Sequence, residues 1–127
     1  MTAAGARHHR VLLADDDSGL RRLVSATLGS ADFELLQAID GEEALQLARS
    51  SSPDLVLLDV NMPRLDGFEV CRALKRDPAT ADIKVVMLTA RGAETDRARA
   101  REAGADDYFV KPFSPVQLLN RVYALLA

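Results

Sequence analysis

A single cysteine, Cys71, and two histidines, His8 and His9, supply all the thiol and imidazole in 127 residues. One cysteine excludes an intrachain disulfide and reads as a protein of a reducing compartment. Long apolar runs are missing too. None approaches the ~18 residues of a membrane span, and Met1–Arg10 lacks the apolar stretch of a secretory signal. Positive charge is not in excess: 16 Lys and Arg stand against 19 Asp and Glu, for a net charge of -3. That balance gives the chain no general attraction to nucleic acid. There is no internal repeat and no low-complexity segment. What is present is ordinary for a globule, with 48% hydrophobic and 28% charged residues. A chain of this length can build one core without staples. The reading is a cytosolic single domain from Arg10 to Ala127, behind a flexible N-terminal tail over Met1–His9.

Short solid apolar runs alternate with stretches of helical period. The runs are Val11–Ala14, Phe33–Ala38, Leu55–Leu58, Ile83–Leu88 (interrupted by Lys84) and Tyr108–Val110, and their Val, Ile and Leu content suits strands buried on both faces. Leu20, Leu23, Val24, Thr27 and Leu28 share one face of a first helix, and Val116, Leu119, Val122 and Leu126 one face of the last. Asp40 and Asp66 each precede a Glu by three residues, as helix-capping aspartates do, and Ser114-Pro115 opens another helix. Gly29 and Gly104 stand where the first and fourth helices should stop. Cys71, among Phe68, Val70 and Leu74, reads as a small core residue. The pattern predicts an α/β fold, five parallel strands with five helices on two faces.

Open parallel sheets carry their chemistry outside the carboxyl ends of the strands. Those ends are Asp15-Asp16-Asp17, Asp59, Thr89 and Lys111. Asp17 is most simply a helix cap, but capping does not explain Asp59 at the end of an apolar strand. Two like charges ~4 Å apart repel by roughly 4 kcal/mol at an effective dielectric of 20, so such a cluster calls for a cation. Oxygen ligands without nearby Cys or His suit Mg²⁺ or Mn²⁺ and not zinc. The first strand-to-helix turn is acidic where a dinucleotide or P-loop site would be glycine-rich. A metal-bound carboxylate facing a lysine and a hydroxyl is equipped to accept a phosphoryl group.

Val11-Leu12-Leu13-Ala14-Asp15-Asp16-Asp17, Leu55 to Pro63, Asp66-Gly67, Val86 to Ala90 and Val110-Lys111-Pro112-Phe113 together resemble a response-regulator receiver domain. The resemblance implies a flavodoxin-like, doubly wound sheet of order 2-1-3-4-5. It implies Asp59 as phosphoacceptor and Mg²⁺ held by Asp16, Asp59 and the backbone carbonyl of Asn61, with Asp15 acting mainly through water. Lys111 and Thr89 would bind phosphoryl oxygens, Thr89 and Tyr108 would form the switch, and the Lys111–Pro112 peptide would be cis. The implied partners are a histidine kinase or histidine phosphotransfer protein and a downstream effector domain or protein. Nucleic acid and membrane are not expected as direct partners.

Two alternatives stand beside this reading. A phosphatase of the haloacid-dehalogenase type also uses a strand-end Asp with Mg²⁺, but needs a second Asp two residues on, where this chain has Asn61. A pseudo-receiver scaffold would lack site residues, and all are present. Arg21 and Arg22 read as a solvated face or, by the resemblance, as a docking surface for the phosphodonor. Arg91–Glu102 should form a weakly held fourth helix, because it has no apolar residue larger than Ala. Arg97, Asp107 and Arg121 match charged positions through which related receivers form a phosphorylation-dependent dimer. Gln117 stands where those receivers carry an acidic residue.

Overall fold

Five apolar runs become five strands, β1 (His9–Ala14), β2 (Phe33–Ala38), β3 (Leu55–Asp59), β4 (Lys84–Thr89) and β5 (Asp107–Val110). Between and after them lie α1 (Ser18–Gly29), α2 (Gly41–Ser51), α3 (Gly67–Arg76), α4 (Glu94–Ala103) and α5 (Pro115–Leu126). This computed structural model describes residues 9–29, 33–62, 64–89 and 94–127. The strands pair in parallel in the order β2-β1-β3-β4-β5, as expected. The tail expected over Met1–His9 lies outside the described residues except for His9, which opens β1 opposite Phe33. Arg91, expected in the fourth helix, also lies outside them.

Alternate residues of the central strands feed two cores, one on each face of the sheet. Leu12, Val56, Leu58, Val85 and Met87 pack with Ala44, Phe68, Cys71, Leu74, Ala100 and Ala103 of α2, α3 and α4. Val11, Leu13, Leu55, Leu57 and Leu88 pack with Val24, Leu28, Leu118 and Val122 of α1 and α5. Burial on both faces holds for β3 throughout but not for the edge strands. β5 is half-buried along its whole length. Among the described residues, no helix is long and apolar enough to cross a membrane.

Two apolar assignments need correction. Leu23 is 44% exposed and Val116 65% exposed. The buried stripe of α1 runs through Leu20, Val24 and Leu28, leaving Leu23 on its flank. In α5 the stripe runs through Leu118, Val122 and Leu125, and Val116 lies about 200° around the helix from Leu118. The caps form as expected. Asp40 accepts from the Glu43 amide, Asp66 and Glu69 form a reciprocal box, and Ser114 accepts from the Gln117 amide ahead of which Pro115 starts the helix. Gly104 leaves α4 with φ of +92°, whereas Gly29 is the last residue within α1.

Candidate functional site

The carboxyl ends of β1, β3 and β5 bring two buried carboxylates and an amine together. Asp15 directly follows β1 and is fully buried; its Oδ1 accepts from the Asp17 amide at 2.9 Å and its Oδ2 from Lys111 Nζ at 2.8 Å. Asp59 ends β3 with 5% of its surface exposed, its Oδ1 accepting from the Asn61 amide at 3.2 Å. The same Oδ1 lies 3.4 Å from Lys111 Nζ, so one ammonium bridges both carboxylates. Asp16 is exposed at the rim, and Asp15, Asp16 and Asp59 each offer an oxygen within 4.8 Å of the others. Asp17 turns away to cap α1, accepting from the amides of Gly19 and Leu20 at 2.9 and 3.3 Å.

Burial pushes the Asp59 carboxyl up to about 6, helped by the negative charge of Asp15 and opposed by Lys111 and the Asn61 amide. For Lys111, burial works against its charge, yet the hydrogen bond to Asp15 and the charges of Asp59 and Asp15 prevail, raising its pKa. Three carboxylates facing one ammonium leave negative charge uncompensated in a partly desolvated pocket. An all-oxygen donor set of that kind fits a hard divalent cation such as Mg²⁺. Cys71 belongs to none of this; burial pushes its thiol up to about 11 and its Sγ donates to the Ala103 carbonyl.

Thr89 ends β4 almost fully buried, and the backbone amide of Lys111 donates to its carbonyl. Tyr108 is the second residue of β5 and pairs in register with Met87, so it sits two residues below Thr89 along the sheet. It is half-buried, with the Arg97 guanidinium 5.3 Å over its ring. The Lys111–Pro112 peptide is cis.

Three residues gain roles that the sequence pattern did not assign. Arg21 is half-buried and donates to the Asp15 backbone carbonyl at 2.8 Å, whereas its neighbour Arg22 is exposed. Asp96 of α4 accepts from Thr89 Oγ1 at 3.2 Å. Arg99 stacks on Phe68 with its guanidinium 4.1 Å from the ring centre and 4.0 Å from Asp66. For Asp96 and Arg99 the only sequence signal is a pair of charged residues about one turn apart on a helix that offers nothing larger than Ala to bury. Arg21, on the apolar α1, has none.

Residues 11–123 match the family profile of the response regulator receiver domain. The DNA-binding dual master transcriptional regulator RpaA of Synechocystis is 47% identical over 92% of this chain, and over 48% of its own length. The phosphate regulon transcriptional regulatory protein PhoB of Pseudomonas aeruginosa is 41% identical over 91% of this chain and 51% of its own. The chain thus spans about half the length of these curated relatives. The solved structure of chemotaxis response regulator CheY4 of Vibrio cholerae superposes with a TM-score of 0.89 and 34% identity, covering 94% of this chain and 100% of that one. These likenesses favour neither the dehalogenase-type phosphatase nor the inert scaffold. By the profile match and the shared fold, this chain belongs to the receiver domains of two-component response regulators.

Proposed function

We propose that Asp59 is the phosphoacceptor of this receiver. Its carboxylate oxygen attacks the phosphorus of a phosphohistidine on a histidine kinase or phosphotransfer protein. The new O–P bond forms as the P–N bond breaks, and the electron pair leaves with the imidazole nitrogen. Lys111 is held within reach of the carboxylate by Asp15, so its ammonium is ready to meet the phosphoryl oxygens as their charge shifts. Thr89 supplies a hydroxyl to another oxygen, and Tyr108 follows its movement. Asp16 and Asp59, with the Asn61 carbonyl, would hold Mg²⁺ or Mn²⁺ directly, and Asp15 would do so mainly through water. The ion would neutralise phosphoryl oxygen charge when bound.

The domain promotes its own phosphorylation and dephosphorylation and is otherwise a signalling element of the cytoplasm. Because the relatives include a DNA-binding transcriptional regulator, the output proposed is a transcriptional effector, with no nucleic acid contact by this domain. A phosphorylation-dependent dimer through α4, β5 and α5 belongs to the same proposal. The observation that carries the reading is the ammonium of Lys111 set between two buried carboxylates, Asp15 and Asp59. The test is intact mass after treatment with acetyl phosphate and Mg²⁺. Wild type should gain one phosphate and Asp59→Ala none; an equal gain in the variant would refute the assignment.

A further inference from the structure

α4 is held to the fold by an unusual set of contacts. Among its described residues only Ala100 and Ala103 are buried, and no larger apolar side chain is available to it. Methyl groups bury little area, so polar contacts must supply much of what holds this helix against the sheet. Along the inward stripe, one turn and two turns ahead of Ala103, stand Arg99 and Asp96. Arg99 lies on Phe68 and beside the α3 cap Asp66. Asp96 reaches the sheet itself, where its Oδ2 accepts a hydrogen bond from Thr89 Oγ1 at 3.2 Å.

A threonine hydroxyl has one proton to donate. We infer that Asp96 is a positioning residue for Thr89: it holds the hydroxyl in the resting orientation and competes with the phosphoryl group for that one proton. The inference rests on the assignment of Asp59 and Thr89 proposed above. When the phosphoryl oxygens arrive, Thr89 can serve them only by releasing Asp96. Breaking that hydrogen bond removes one of the ties between the first turns of α4 and the sheet, the stacking of Arg97 on Tyr108 being another. The C-terminal end stays fastened, because Cys71 Sγ donates to the Ala103 carbonyl. Asp106, beyond Gly104, is bound by Lys75 Nζ at 3.0 Å and by the Val85 amide at 2.8 Å. The residue therefore sets how readily the site is filled, and it makes α4 hinge at its far end. Arg97, next in sequence and stacked over Tyr108, would be carried along by the same movement.

A bland role for Asp96 exists as well. It lies in the first turn of α4, where any carboxylate is favoured by the helix dipole. The two roles separate in a double-mutant cycle read by beryllofluoride titration of the Mg²⁺-loaded chain, followed through amide chemical shifts. Asp96→Ala should be saturated at about tenfold lower beryllofluoride than wild type, the low end for a hydrogen bond to a charged acceptor. Asp96→Asn, whose amide oxygen still accepts the proton, should fall between them. In a Thr89→Ala background, Asp96→Ala should leave the midpoint unchanged. An equal shift in both backgrounds, or no shift in either, overturns the inference. If wild type itself gives no saturable response, the failure is that of the Asp59 assignment and not of Asp96. Urea melts of Asp96→Asn guard against a variant that merely unfolds.

Discussion

A Cβ placed on Gly67 would stand 2.3 Å from the backbone oxygen of Asp59, so the first residue of α3 must be glycine for the strand end carrying that carboxylate to sit where it does. The Gly67 amide also donates to the Val60 carbonyl, which ties α3 to the turn beyond β3. Gly67→Ala would force backbone against backbone, where neither side can rotate away. The expected cost is about 1–3 kcal/mol in urea melts, with slower phosphorylation by acetyl phosphate. Unchanged stability and rate would show that the close approach has no bearing on the site.

The raised carboxyl of Asp59 sets a pH dependence. Its folded value of about 6 lies above the ordinary 3.8, so the folded state binds the proton more tightly than the unfolded state. That contribution is full below about 3.8 and is lost as pH rises through about 6. Asp59→Asn, which has no charge to lose, should therefore gain on metal-free wild type as pH rises from 4 to 7, by of order 2 kcal/mol. Denaturant melts in a chelating buffer across that range check it. A difference that is flat with pH would contradict the cause assigned to the shift.

Mg²⁺ should stabilise the wild type by about 1.4 kcal/mol at tenfold its dissociation constant. Asp16→Asn should remove most of that effect with little change in the metal-free chain, because Asp16 is exposed and the other two carboxylates are buried. Thermal melts with and without the ion separate the two quantities. Full Mg²⁺ stabilisation in the variant would place the ion elsewhere.

Lys111→Met should act in the opposite order. Without its ammonium, Asp15 and Asp59 face each other inside the site with no cation, and the metal-free chain should lose about 2 kcal/mol. Added Mg²⁺ should then recover more stability than it gives the wild type. Equal recovery in both chains would mean that Lys111 and the ion do not share the same charges.

Much of this site was readable from residue order, because a parallel sheet forces strand ends to one edge. Asp15, Asp59, Thr89 and Lys111 each follow an apolar run, and the run locates the side chain. The sheet order came from resemblance, since periodicity says nothing about which strands are neighbours. What could not be read were features decided by rotation and register. Leu23 and Val116 fit a helical stripe on paper but lie outside the stripe that packing selects. Tyr108 stands two residues below Thr89, a fact fixed by the β4–β5 register and invisible in a list of strand ends. The contacts of Arg21 and Asp96 depend on where long or charged side chains turn after the helices dock. Charge on a helix face reads first as solvation, and nothing local tells the two apart.

The central claim is that phosphoryl transfer ends on Asp59. The most direct test is to phosphorylate the chain with acetyl phosphate and Mg²⁺, reduce the product with borohydride, and sequence the peptides by mass spectrometry. Reduction turns a phosphoaspartate into homoserine and so marks its position permanently. Homoserine at position 59, with Asp15, Asp16 and Asp17 unchanged, is the predicted result. Homoserine at one of those three positions, with Asp59 intact, would contradict it.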